Sequence, residues 1–397
     1  MQPDLFDFFI HFNCLLPIVQ SEDTSIRYAS PKETEDAIQA VKELKGLVES
    51  KLKLLAVSFP NPAARGSLEY VIAPPHASPW VPVGLWTQTS IGYDIQRKRN
   101  IFMKDFWRLD IEGVPKKGNI YSKFKTNKVP NVPCCLNLGD VGNPAFHSTQ
   151  TNHYTTKPWA PNFKYRLTLQ CHYHLILDDI GQPLDSFKCS QDMMHAIHAT
   201  LAGKVFLDRV EVCLSESFTP IAYKFAYDYG ILHCDISPGN ILITSDDNFA
   251  GGLLIDWDLC KDINSQVGGQ RCALRTVRIK CPSMHCMLTN WTQGTWQFMA
   301  ADLISNPKTD HTFVHNLESA FYVILWLSIK FLPNSWDGAV CSLVMNDLFN
   351  PPTFKLVGSQ AKVNWMAHAI AQTREFRVDG NPILSGLITS LTLYFQA

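Results

Sequence analysis

The chain has 397 residues, 46% of them hydrophobic and 18% charged, with 35 Lys plus Arg against 36 Asp plus Glu. This length supports more than one domain around a large core, and the apolar fraction excludes a mostly disordered chain. The near-neutral charge argues against a protein that grips nucleic acid by neutralising phosphates. No apolar run predicts a membrane span: Phe321 to Leu332 is about two-thirds of the length needed and contains Lys330. The N-terminus lacks a basic leader and a small-residue cleavage site, so no secretory signal is predicted. Twelve scattered cysteines without a CxxC pair predict mostly buried thiols in a reducing, intracellular compartment, cytoplasmic or nuclear. Cys281, His285 and Cys286 have no second cysteine pair at metal-ligand spacing, so no zinc centre is predicted there.

In chain order, Ser30, Pro31 and Glu33 supply an N-cap, a first-turn proline and a capping box. Ala37, Val41, Leu44, Val48 and Leu52 follow at helical spacing, predicting one helix over 30–54. A proline-rich loop carrying Pro60, Pro62, Pro74, Pro75, Pro79 and Pro82 reads as a domain boundary. Ser90 to Ile95 and Ile101 to Trp107 read as a hairpin around the polar turn 96–100, whose basic run is expected to be a solvated tip. Tyr165 to Cys171 and Tyr173 to Leu177 read as two further strands, ending at a polar break through Asp178, Asp179 and Gly181. Ser190 caps a helix carrying Met193, Met194, Ile197 and Leu201. A helix opening at Asn316 and running to Pro333 is apolar around most of its circumference, which predicts burial on most sides. The chain thus divides into an N-terminal extension over 1–78, a strand-rich part over 79–178 and a helix-rich part over 179–397.

The most informative segment is His233-Cys234-Asp235-Ile236-Ser237-Pro238-Gly239-Asn240, followed by Leu254-Ile255-Asp256-Trp257-Asp258. Between them, 241–244 and 253–255 read as short strands around a polar, glycine-containing turn. Closing that hairpin brings Asn240 and Asp256 side by side, with Asp235 five residues before Asn240 in a loop held by Pro238 and Gly239. Three oxygen-bearing side chains then converge, an arrangement suited to phosphoryl transfer. Mg²⁺ takes oxygen ligands, one or two carboxylates among them, and a further carboxylate can orient the attacking hydroxyl.

In these motifs the chain resembles the fungal-type protein kinase family, within the protein kinase-like superfamily. The resemblance spans roughly 80–350 and implies an α+β, two-lobed protein kinase-like fold, with a small β-rich N-lobe, a larger mainly helical C-lobe and a cleft for Mg-ATP. It makes Asp235 the catalytic base, Asn240 and Asp256 the Mg²⁺ ligands, and Lys104, in Ile101 to Arg108, the contact to the ATP phosphates. Gly84 would lie in the phosphate-covering loop, and Asp178 in the hinge beside the nucleotide. Gly294 to Ala300 resembles the end of an activation segment, and Asn316-Leu317-Glu318-Ser319 the start of the buried central helix.

There are departures from the family pattern. Cys234 stands for the catalytic-loop arginine, Asn119 where a glutamate partner of Lys104 is expected, with Glu112 as a substitute, and Asn316 for a bracing aspartate. The stretches 204–221 and 277–293 interrupt the pattern and read either as exposed loops or as unspliced introns.

The resemblance implies an ATP-dependent protein Ser/Thr kinase whose partner is a protein substrate presenting a hydroxyl, with no nucleic acid and no membrane. Two alternatives stand beside it: a small-molecule phosphotransferase of the aminoglycoside or choline kinase type, and a pseudokinase that scaffolds partners. The activation-segment motif weighs against the first, while Asn119, Cys234 and the interruptions motivate the second.

Overall fold

A computed structural model describes residues 23–60, 67–75, 87–110, 117–142, 147–150, 153, 169–178, 181–201, 222–244, 251–264, 295–306, 309–350, 361–365 and 376–396. Gly84, Glu112, the interruptions at 204–221 and 277–293, and Cys281, His285 and Cys286 lie outside the described residues. The protein is mixed α+β and forms two compact units, one from 1–122 with 134–180, the other from 123–133 with 181–397. Among the described residues, no helix is long and apolar enough to cross a membrane.

The first unit is built on a seven-stranded antiparallel sheet. Its strands are β1 (Ile26–Tyr28), β2 (Leu55–Pro60), β3 (Ser67–Ile72), β4 (Thr87–Asp94), β5 (Arg99–Leu109), β6 (Cys135–Asp140) and β7 (Gln170–Leu177), in the spatial order β1-β2-β3-β4-β5-β7-β6. β3 and β4 pair across the stretch read as a boundary near residue 78, so strands from both sides of it share one sheet.

The helix expected over 30–54 is two shorter helices, and the chain leaves helix after Glu49. The first, α1 (Pro31–Ala40), has the expected capping box: the Ser30 hydroxyl accepts from Glu33 N–H and the Glu33 carboxylate from Ser30 N–H. At Val41 the backbone is extended (φ −120°, ψ 104°), and α2 (Lys42–Glu49) begins again beyond it. Val41 is β-branched and buried with Ala37, Leu44, Leu54, Val71 and Ala73, so packing outweighs its weak helix preference. The proline-rich stretch holds β3, and the strand ending at Pro60 is β2; Pro60 closes it in register with Ser67.

The hairpin of β4 and β5 is present, with its turn at 95–98. Its tip is exposed at Gln96, Arg97 and Lys98, as expected, while Arg97 also bonds the buried Asp94 at 3.1 Å and Arg99 bonds Asp178 at 3.0 Å. The two strands expected either side of His172 are, where described, the single strand β7. Side chains alternate across the sheet. Lys104, Phe106 and Arg108 of β5 therefore share a face with Leu175, Tyr173 and Cys171 of β7, while Asp105 and Trp107 share the other with His174 and His172. Helix α3 (Lys117–Thr126) approaches the first of these faces so closely that a Cβ on Gly118 would lie 2.6 Å from the Tyr173 hydroxyl.

In the second unit, α4 (Ser190–Leu201) packs on the hairpin of β10 (Ile241–Ile243) and β11 (Gly252–Leu254), to which β8 (Gln182–Pro183) adds a strand. The approach requires Gly252, whose Cβ would meet the Ala196 carbonyl at 2.6 Å. After the short helices α5 (Ala222–Asp228) and α6 (Ala301–Ser305), the central helix α7 (Phe313–Phe331) begins three residues before Asn316, at a cap formed by Thr312 and His315, and is buried along most of its length. It packs against α8 (Gly338–Phe349) and α9 (Pro382–Gln396). The seven described cysteines carry no disulfide, and only Cys171 and Cys234 are buried, fewer than the composition suggested.

Candidate active site

Two short ladders in the second unit frame the site. β9 (Ile231–Leu232) pairs with β12 (Lys261–Asp262), and β10 pairs with β11. Leu232 therefore faces Lys261 and Ile241 faces Leu254, so the loops 233–240 and 255–260 run between the same two ladders. Ile255 N–H extends the second ladder by donating to the Asn240 carbonyl at 2.9 Å. This puts Asn240 beside Asp256 at the end of the hairpin.

His233 locks the two loops together. Its Nε2–H donates to the Ile255 carbonyl at 2.8 Å, and its Nδ1 accepts from Asp235 N–H at 3.2 Å. Only the neutral Nε2–H tautomer satisfies both bonds. Complete burial agrees, since it pushes the imidazole pKa down despite the carboxylates nearby. Trp257 packs edge-on against both His233 and Phe124, ring centres 4.6 Å apart in each case, while its indole N–H donates to the Leu254 carbonyl.

The acidic and amide groups follow from this frame. Asn240 donates its side-chain amide to the Asp235 carbonyl at 2.8 Å, which commits the nitrogen end and turns the oxygen end away. Asp235 Oδ1 accepts from Thr295 N–H at 2.7 Å. Cys234 (φ 68°) and Asp256 (φ 61°) both adopt left-handed backbone. Each such residue costs about 1–2 kcal/mol, so the surrounding bonds must hold them there. Cys234 is buried, its thiol toward the Leu232 carbonyl.

The segment that reaches Asp235 has its own support. Lys362 is fully buried, and its Nζ donates to the carbonyls of Trp296, Gln297 and Met299 at 3.3, 2.8 and 2.7 Å. It also lies 4.2 Å from the centre of the Tyr322 ring. Burial pulls its pKa down to about 7, against the attraction of Glu318. Three carbonyl acceptors match the three donors of an ammonium group. Glu318 accepts from Ala301 N–H and from the Tyr322 hydroxyl, and burial raises its pKa. Asn316 does not bond the loop 233–240 in any described contact; its amide donates to the Tyr223 hydroxyl and its oxygen meets His311 Nε2.

Asp235, Asn240 and Asp256 are thus brought to neighbouring positions by the hairpin and its flanking loops. Lys104 lies in the first unit, buried on β5 opposite Thr89 and Leu175. Asp178 also lies there, its Oδ2 held by Arg99. Asn119 is exposed on α3. Sequence reasoning missed Lys362, because lysine ordinarily marks surface and no local motif surrounds it.

Residues 221–328 match the family described as fungal protein kinase. The matched stretch spans both loops, the hairpin and most of α7. No curated protein matches the chain.

Proposed function

We propose that this chain is an ATP-dependent protein kinase of the fungal type, transferring the γ-phosphate to a Ser or Thr hydroxyl of a protein substrate. The two-lobed kinase-like fold belongs to the same proposal. The observation that carries it is the convergence of Asp235, Asn240 and Asp256, organised by His233 and the β10–β11 hairpin within the stretch that matches fungal protein kinases.

The donor set suits Mg²⁺: the Asp256 carboxylate and the Asn240 amide oxygen are hard oxygen ligands, and the Asn240 nitrogen is already committed to Asp235. When bound, the ion supplies neutralisation of phosphate charge. Asp235 has one carboxylate oxygen fixed by Thr295 N–H; the other is proposed to orient the substrate hydroxyl and accept its proton. Lys104 is proposed to contact the ATP phosphates, and Gly84 and Asp178 to line the nucleotide, on the strength of the resemblance.

The test is a melting titration of the purified chain with ATP, with and without Mg²⁺, followed by phosphorylation of a protein substrate pool. Binding to the native state adds about 2.7 kcal/mol at a hundredfold excess over Kd, a rise of a few degrees. A Mg²⁺-dependent rise with phosphate on Ser or Thr is expected. A cooperative melt that ATP leaves unmoved would overturn the proposal.

A further inference from the structure

A second cluster of ionisable side chains lies in the first unit, on the sheet face opposite Lys104. Asp23, ahead of β1, meets His172 and His174 of β7. Asp23 Oδ2 is 3.2 Å from His174 Nε2 and 3.9 Å from His172 Nδ1. Ligands on a tetrahedral ion with bonds near 2.0–2.1 Å stand roughly 3.3 Å apart; the Asp23–His174 pair already has that spacing, and all three ligand atoms lie within 4.8 Å of one another.

Asp23 and His172 have their remaining polar atoms engaged elsewhere. Asp23 Oδ1 accepts from the Ser25 N–H at 2.9 Å and the Ser25 hydroxyl at 2.6 Å. His172 Nε2 bonds Asp105 Oδ1 at 2.5 Å, and its ring stacks on Trp107 at 11°. That bond takes the Nε2 proton and leaves Nδ1 with its lone pair, the carboxylate–histidine support common at metal centres. His174 is 2% exposed, and neither its Nε2 nor Asp23 Oδ2 makes a hydrogen bond of acceptable geometry despite their closeness. A buried nitrogen without such a bond is costly unless something binds it. In this structure the His172 Nδ1 lone pair accepts from His147 Nδ1–H at 3.1 Å, a hydrogen bond that a cation on His172 Nδ1 would displace.

We propose that Asp23, His172 and His174 form a divalent metal site that takes Zn²⁺ and ties the segment ahead of β1 to the sheet. Two imidazoles and a carboxylate suit zinc better than Mg²⁺ or Ca²⁺, which prefer oxygen alone. The three residues take no part in the proposed phosphoryl transfer, and the proposal does not rest on it.

The test uses the full chain, stripped with chelator and titrated with Co²⁺ alone, then with Zn²⁺ as competitor. One equivalent of Co²⁺ is expected to give visible ligand-field bands without a thiolate charge-transfer band, which separates this site from any of the twelve cysteines. One equivalent of Zn²⁺ should displace it, and the melting temperature should rise. Asp23→Asn, nearly isosteric, should weaken binding at least tenfold. Asp105→Asn, which removes the carboxylate that supports His172 and also lies 3.7 Å from His174 Nε2, should weaken it about 10–100-fold. Absence of a saturable band in the wild-type chain, a thiolate band in its place, or affinity unchanged in both variants would overturn the proposal. The readout is spectroscopic and needs no phosphoryl transfer.

Discussion

The loop-and-hairpin site at 233–258 and the cluster of Asp23, His172 and His174 both set partly exposed carboxylates beside buried histidines, yet they are assembled in opposite ways. In the first, the ladder that pairs Ile241 with Leu254 sets Asn240 next to Asp256, and His233 closes the gap with two bonds. Every member lies within one supersecondary unit. In the second, the carboxylate precedes the first strand and the histidines sit on the last strand of the sheet in chain order, so nothing nearby in the chain announces the meeting. A site built locally can be read from spacing, whereas one built across a sheet exists only once the strand order is known.

The largest expected effect breaks the first region alone. Asp235→Ala should lower phosphoryl transfer by about 10²–10⁴-fold, the range lost with a general base, and lower kcat more than nucleotide affinity. Steady-state kinetics with ATP varied would check this, and Co²⁺ binding at Asp23, His172 and His174 should be untouched.

Lys362→Met sharpens the contrast, because it asks how local the first site is. The substitution keeps the apolar stem but leaves the carbonyls of Trp296, Gln297 and Met299 without their donor. Stability should fall by about 3 kcal/mol, measured by urea unfolding. Unchanged stability would show that the segment leading to Thr295 and Asp235 is held by other means.

The smallest effect separates the regions by pH. The folded pKa of His233 lies below the ordinary 6.5, so the unfolded chain binds more protons as pH falls past that value, and stability is lost on the way down. His198 and His315, also lowered by burial, act in the same direction. Asp23 acts later: its folded pKa lies below the ordinary 3.8, so its contribution is present above that value and lost as pH falls toward the folded one. Urea midpoints followed from neutral pH downward should therefore drop in two stages. A flat profile from pH 7 to about 5 would mean that His233 is solvated in the folded chain.

By itself the sequence determined what short-range chemistry controls: the capping box at Ser30 and Glu33, the hairpin turn after Asp94, and the hairpin after Asn240 that aligns it with Asp256. Caps, turns and two-stranded ladders involve only a few neighbouring residues, and their free energy is decided there. Only the tertiary structure decided that Val41 breaks a helix to join a core, that the proline-rich stretch holds β3, and that β7 runs unbroken through His172. It also decided that Lys362 is buried under the segment reaching Asp235, and that Asp23 meets two histidines. Those outcomes depend on which faces close against each other, and burial free energy acts between residues that the chain keeps far apart until the sheet and helices have packed.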